Sequence, residues 1–287
     1  MKRLLAFLAL LSILLSGCTA QAETADIAAT TLPVYQFTAA LCEGTRLTVA
    51  RLISENVSCL HDYSLHVSQV KTAEQAKLLV ISGAGLEDFM ADLLTDKTVI
   101  DASAGISLLE SCNSHEHQDH HHEHDAHIWL SPANAMTMAQ NIFDGLCGQF
   151  PENQAVFAQN LTSLLQELQQ LQDYAEAQLS DISSRELITF HDGFSYLAQA
   201  FDLQILAAVE EESGAESSAR ELIELIRLVQ QYRLPAIFTE QNGSTAAAAI
   251  ISRETGAAIY TLDMAISGDD YFAAMYQNIR TIREALQ

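Results

Sequence analysis

Seven of the chain's ten histidines fall in the thirteen positions from His115 to His127, within the run HEHQDHHHEHDAHIW. Neutral imidazole is a preferred donor to zinc and similar ions, so the run is either a metal site or a segment placed beside one. Residues 111 to 126, SCNSHEHQDHHHEHDA, show no apolar periodicity and read as a mobile loop. Ordering such a run costs about 1–2 kcal/mol of backbone entropy per residue, so its imidazoles would hold metal weakly. A dispensable solvated loop is the plainer alternative.

The histidines outside the loop carry more information. His61 lies in SCLHDYSLH, His127 in DAHIWLSP and His191 in ITFHDGFSYLA. Each stands near the C-terminal end of a predicted strand or at the entry to a helix, where open α/β sheets place their ligand crevices. One such histidine is more often structural than ligating. Three of them, spread over both halves of the chain, point to a shared ion. Zinc suits them, because imidazole nitrogens bind it at about 2.0–2.1 Å and a carboxylate can complete a tetrahedron. Asp263, in IYTLDMA, ends the last predicted strand and belongs at the same crevice, although a turn-capping role fits its position equally well.

Alternating elements would position these residues. Strand-like QAKLLVISGAG and KTVIDAS in the first half, and ELITFH, QILAAV, PAIFTE and AAIYTLD in the second, are separated by helical stretches. That alternation predicts parallel α/β layers. Residues 153 to 182 contain neither Gly nor Pro and repeat apolar residues at Leu161, Leu164, Leu165, Leu168, Leu171 and Tyr174, a helical spacing. The predicted fold class is α/β with two lobes, each a mainly parallel sheet flanked by helices, joined by one long rigid helix. The boundaries read as an N-terminal lobe over 32–152, the linking helix over 153–182 and a C-terminal lobe over 183–287.

The N-terminus, MKRLLAFLALLSILLSGC, pairs Lys2 and Arg3 with an apolar run too short to span a bilayer permanently. It reads as a signal peptide over residues 1 to 17, ending in a lipobox-like Leu-Ser-Gly-Cys. Cys18 would then be acylated and anchor the chain to a bacterial membrane on its outer side, with residues 18 to 31 as tether. A formal net charge of −23 leaves no basic face for nucleic acid, which is excluded as a partner. Cys42, Cys59, Cys112 and Cys147 permit none, one or two disulfides. Cys59, two residues before His61, reads as a disulfide partner or a buried thiol sooner than as a ligand, since an oxidising compartment consumes free thiolates.

HDY, GAGLEDFM, DAHIWLSP, the long helix, FHDGFSYLAQAF, IFTEQ with ETG, and LDMAISGDDYFAAMYQNI occur in that order. In sequence and spacing they resemble the zinc- and manganese-binding lipoproteins of bacterial ABC importers, over nearly all of the chain beyond the leader. The resemblance implies a metal held between two α/β lobes, with His61, His127, His191 and Asp263 as ligands, Glu240 as a supporting residue, and a permease with a separate ATPase subunit as partner. It also implies a zinc-associated His-rich segment, so that His115, His117, His120, His121, His122 and His124 become accessory metal-binding residues. Manganese-type members commonly carry Glu at the third ligand position, and His191 there points to the zinc branch. The chain departs from the family pattern in lacking the proline before His61 and before His127. The implied function is zinc capture for import, with a receptor for manganese or another divalent metal, or an adhesin, as the alternative. A zinc hydrolase with Asp192 or Glu240 as base is the rival from the enzyme class, but no HExxH, GxSxG or Walker-type loop occurs, so no enzyme is expected.

Overall fold

The computed structural model describes residues 25–57, 60, 63–110, 124–209, 218–241 and 243–287. His61, Cys18, Cys59, Cys112 and the loop histidines His115, His117, His120, His121 and His122 lie outside the described residues.

In the first lobe, β1 (Ile27–Ala29) leads into α1 (Leu32–Cys42), which carries Pro33 in its first turn, where a missing N–H costs nothing. There follow β2 (Val49–Arg51), α2 (Val67–Gln75), β3 (Leu78–Ile81), α3 (Ala91–Leu94) and β4 (Val99–Asp101). The four strands pair in parallel in the order β2-β1-β3-β4. After β3 the chain turns at Gly83, whose φ is +83° and where a Cβ would fall 1.9 Å from Asp101 Oδ1, so only glycine serves. Glu87 of the GAGLEDFM motif then folds back and accepts hydrogen bonds from Thr30 Oγ1 and from the amides of Ser82 and Gly83. Burial pushes its carboxyl up to about 7 against the pull of those donors.

A short 3-10 turn at Ile128–Leu130 precedes α4 (Pro132–Gln149), which Ser131 caps by accepting from the Asn134 amide. α5 (Gln154–Leu179) is 26 residues long, about 39 Å at 1.5 Å per residue. Its buried stripe, Phe157, Leu161, Leu164, Leu168, Leu171, Ala175 and Leu179, follows the helical period. It packs on α1 and α4 of the first lobe.

The second lobe repeats the plan: β5 (Glu186–Thr189), α6 (Ser195–Ala200), β6 (Gln204–Ala208), α7 (Ala219–Tyr232), β7 (Ala236–Glu240), α8 (Ala246–Thr255), β8 (Ala258–Leu262) and α9 (Tyr271–Leu286). Its strands are parallel in the order β6-β5-β7-β8. α7 begins with a reciprocal Ser218–Glu221 capping box, and α9 with Asp270 accepting from the amides of Phe272 and Ala273. α9 also packs against α5, so the long helix is sandwiched between elements of both lobes. Among the described residues no helix is long and apolar enough to cross a membrane.

One apolar cluster runs continuously from β1, α1 and α5 through Trp129 to Phe194, Leu197, Phe238 and Tyr271. A strap, residues 264–271, stitches the lobes together. The Leu32 amide donates to Ile266 O, Arg51 Nη1 to Gly268 O, Ser267 Oγ to Val57 O, and Tyr271 Oη to Trp129 O.

Candidate metal centre

In each sheet the strand order reverses between the second and third positions, the place where open α/β sheets form their ligand crevices. In the second lobe those strands are β5 and β7. His191 follows β5 by two residues, Glu240 is the last residue of β7, and Asp263 comes directly after β8. His127 enters from the first lobe, immediately before the 3-10 turn at Ile128.

The structure brings His127 and His191 together. Their ring centroids are 5.2 Å apart with the planes at 85°, and both residues are buried. A buried carboxylate accompanies each Nδ1: Asp125 Oδ1 lies 2.8 Å from His127, and Glu240 Oε2 lies 3.4 Å from His191. Asp125 Oδ1 also accepts the His127 main-chain amide at 2.8 Å. Burial works to raise the Asp125 carboxyl, but hydrogen bonds and charge from His127, with help from Ser195, hold it below the ordinary carboxylate range. Glu240 is pushed up to about 8 by burial and by its neighbour Asp263. Asp263 is raised by burial and drawn back by the Ala265 amide, which donates to its Oδ1 at 2.7 Å. Asn278 grips the Asp263 main chain from both sides, accepting from its amide and donating to its carbonyl.

Of the sequence-derived candidates, His127 and His191 stand together with Glu240 beside His191, Asp263 is a charged neighbour of Glu240, and His61 lies outside the described residues. Among the described residues no three His, Cys, Asp or Glu side chains stand close enough together to hold an ion as they are. His124, expected in the loop, instead forms an antiparallel bridge with Glu110. The segment without regular structure was expected over 111–126, but Asp125 and Ala126 are buried beneath His127. The physical reason is that the His127 main-chain amide and Nδ1 both meet Asp125 Oδ1 at 2.8 Å, which offsets the cost of taking that carboxylate out of water.

Asp125 and Gly193 had no role assigned from sequence. DAH and HDG were both visible as motifs, but nothing in their spacing says that an aspartate should buttress its own histidine or that a glycine should sit between two rings. A Cβ on Gly193 would lie 2.5 Å from Met264 Cε and 2.8 Å from both His127 Nδ1 and His191 Cδ2. Gly193→Ala should therefore force the ring pair apart and destabilise the fold by about 1–3 kcal/mol, the usual cost of overpacking. Thermal unfolding of the metal-free variant measures this, and an unchanged midpoint would show that the crevice yields without cost.

With this geometry in place, comparison with known proteins is informative. The model of the family described as ZnuA, zinc-uptake complex component A, periplasmic, matches residues 27–285. The zinc-binding lipoprotein AdcA of Streptococcus pneumoniae is 30% identical over 308 aligned residues, taking in 99% of this chain and 61% of that protein. The chain thus spans about three-fifths of the length of the streptococcal relatives it matches. The zinc-bound ZnuA-like domain of Streptococcus pneumoniae AdcA superposes with a TM-score of 0.77 at 27% identity, over 92% of this chain and 99% of that one. A zinc-bound deletion mutant of ZnuA gives 0.78 at 26% identity, over 92% and 98%. Two parallel-sheet lobes, a long helix packed against both and a match across nearly the whole described chain lead to one assignment: this protein belongs to the ZnuA family of zinc-uptake components.

Proposed function

We propose that this chain is an extracytoplasmic receptor that binds Zn²⁺ between its lobes and hands it to an ABC import permease. The observation that carries the reading is the pairing of His127 and His191 in a buried crevice, each ring with a buried carboxylate at Nδ1. A carboxylate at one ring nitrogen fixes the tautomer and makes the other nitrogen the metal donor. His127 and His191 would then bind through Nε2, with Asp263 supplying an oxygen and His61 the third imidazole. Glu240 orients His191 and stays outside the coordination shell. Three imidazoles and one carboxylate suit zinc, whereas manganese prefers more oxygen donors. The zinc-bound relatives of the same fold support this choice.

The wider assignment follows the same logic. Residues 1 to 17 act as signal peptide, Cys18 takes the lipid anchor, residues 18–31 form the tether, lobes over 32–152 and 183–287 flank the helix region 153–182, and the His-rich segment gathers zinc as an accessory site. The chain is a carrier and not an enzyme; its partner is the permease, whose ATPase is a separate subunit.

The test is zinc affinity against pH. Protons compete for the imidazole lone pairs, whose reference pKa is about 6.5. The affinity measured by competition titration should therefore hold above pH 7 and fall by at least about tenfold per unit below 6.5. An affinity constant from pH 7.5 down to 5.5 would remove the histidines from the site.

A further inference from the structure

Asp125 can aim the His127 ring only if Asp125 is itself immobile, and the groups that immobilise it come from the other lobe. Tyr196, in the first turn of α6, is 2% exposed. Its hydroxyl accepts from the Leu109 amide at 2.9 Å and donates to the Asp125 carbonyl at 3.0 Å. The Asp125 amide donates back to Leu109 O at 2.9 Å, which closes a ring of three hydrogen bonds. The ring lies beside the Glu110–His124 bridge, at the neck from which residues 111–123 depart. The preceding residue, Ser195, stands near the Asp125 carboxylate, the same group that serves His127, and helps to hold it below the ordinary carboxylate range. The Tyr196 hydroxyl of the second lobe therefore grips one residue of the first by its main chain, with Ser195 beside that residue's carboxylate.

A tyrosine that merely filled the core would need a single partner for its hydroxyl. This one donates to one main-chain group and accepts from another, on two separate segments of the opposite lobe. Ser195 and Tyr196 also stand four and five residues after His191, on the same short segment. We propose that Tyr196, with Ser195 beside it, forms a positioning clasp that locks Asp125 and, through it, sets the His127 imidazole relative to His191. This rests on the zinc reading above. Neither side chain touches the ion. The clasp makes the orientation of one imidazole depend on the segment that carries the other, so the pair is organised before metal arrives and little ordering is left to be done on binding.

Tyr196→Phe is the deciding variant, because it keeps the buried ring and deletes both hydrogen bonds. Ser195→Ala tests the part played by Ser195 separately. Two readouts are taken. In the metal-free protein, amide hydrogen exchange at Leu109 and Asp125 and the ring ¹⁵N signals of His127 report on the clasp alone. In the metal-bound protein, competition titration with zinc and the visible spectrum of the Co²⁺ form report on the site. Tyr196→Phe is expected to speed exchange at both amides, shift the His127 ring signals, weaken zinc by about tenfold and alter the Co²⁺ bands, with Ser195→Ala moving the ring signals and affinity in the same direction. Unchanged exchange and ring signals in Tyr196→Phe would overturn the clasp whatever zinc does. A lowered melting temperature with wild-type affinity and spectrum would overturn it too, by reducing Tyr196 to a packing role. If the wild type binds no zinc but the metal-free signals respond as expected, the clasp stands and the receptor reading falls.

Discussion

His191→Ala is expected to weaken zinc binding by about two to three orders of magnitude while leaving the metal-free fold intact. Structural zinc sites with four ligands carry about 10–16 kcal/mol, so an equal share per ligand is about 2.5–4 kcal/mol, at about 1.4 kcal/mol for each tenfold. The loss is concentrated in affinity because His191 lies in the loop beyond β5 and outside the strands and helices of the fold. Its imidazole is held by Glu240, whose carboxyl is pushed up to about 8 and can be neutral in the truncated site. A competition titration on the purified variant reads the effect directly. Wild-type affinity would exclude His191 from the coordination shell and return the crevice to a structural role.

Trp129→Ala should cost the fold about 3–5 kcal/mol, the usual range for truncating a fully buried tryptophan. The indole is 0% exposed, donates from Nε1 to the Met264 carbonyl at 2.7 Å and lies edge-on to His127 with centroids 5.4 Å apart. Its own carbonyl accepts from Tyr271 Oη. Truncation opens a cavity where the first lobe meets the strap and leaves the Met264 carbonyl buried without its donor. Urea denaturation of metal-free protein gives the difference. A loss below about 1 kcal/mol would mean that the surrounding side chains collapse into the space, against the dense packing seen around it.

The parts of this molecule that repeat along the chain could be read from it. Strand-like runs such as KLLVIS and PAIFTE lie in β3 and β7, and the apolar period of α5 is visible in Leu161, Leu164, Leu168 and Leu171. Local signals also marked the start of α4 at Ser131-Pro132 and the strand ends that carry His191 and Asp263. What could not be read is what depends on distant partners. Asp125 sits in a polar, histidine-laden stretch whose composition says solvent, yet its contacts with His127 and with the Tyr196 hydroxyl accompany it into the interior. Residues 264–271 look like an ordinary turn after a strand, and only the hydrogen bonds to Leu32, Arg51 and Val57, more than 200 positions away, make them a cross-lobe strap. Gly193 reads as a loop glycine until two imidazoles close around it.

The bridge between Glu110 and His124, backed by the Asp125 amide on Leu109, holds the two ends of an insert at the separation of neighbouring strands. Whatever is spliced between those ends adds nothing to the distance the frame must span. Each doubling of a closed loop's length adds only about 0.6 kcal/mol of closure entropy, so that stretch is free to grow, shrink or change its histidine content over generations. The frame that holds His127 is insulated from such drift.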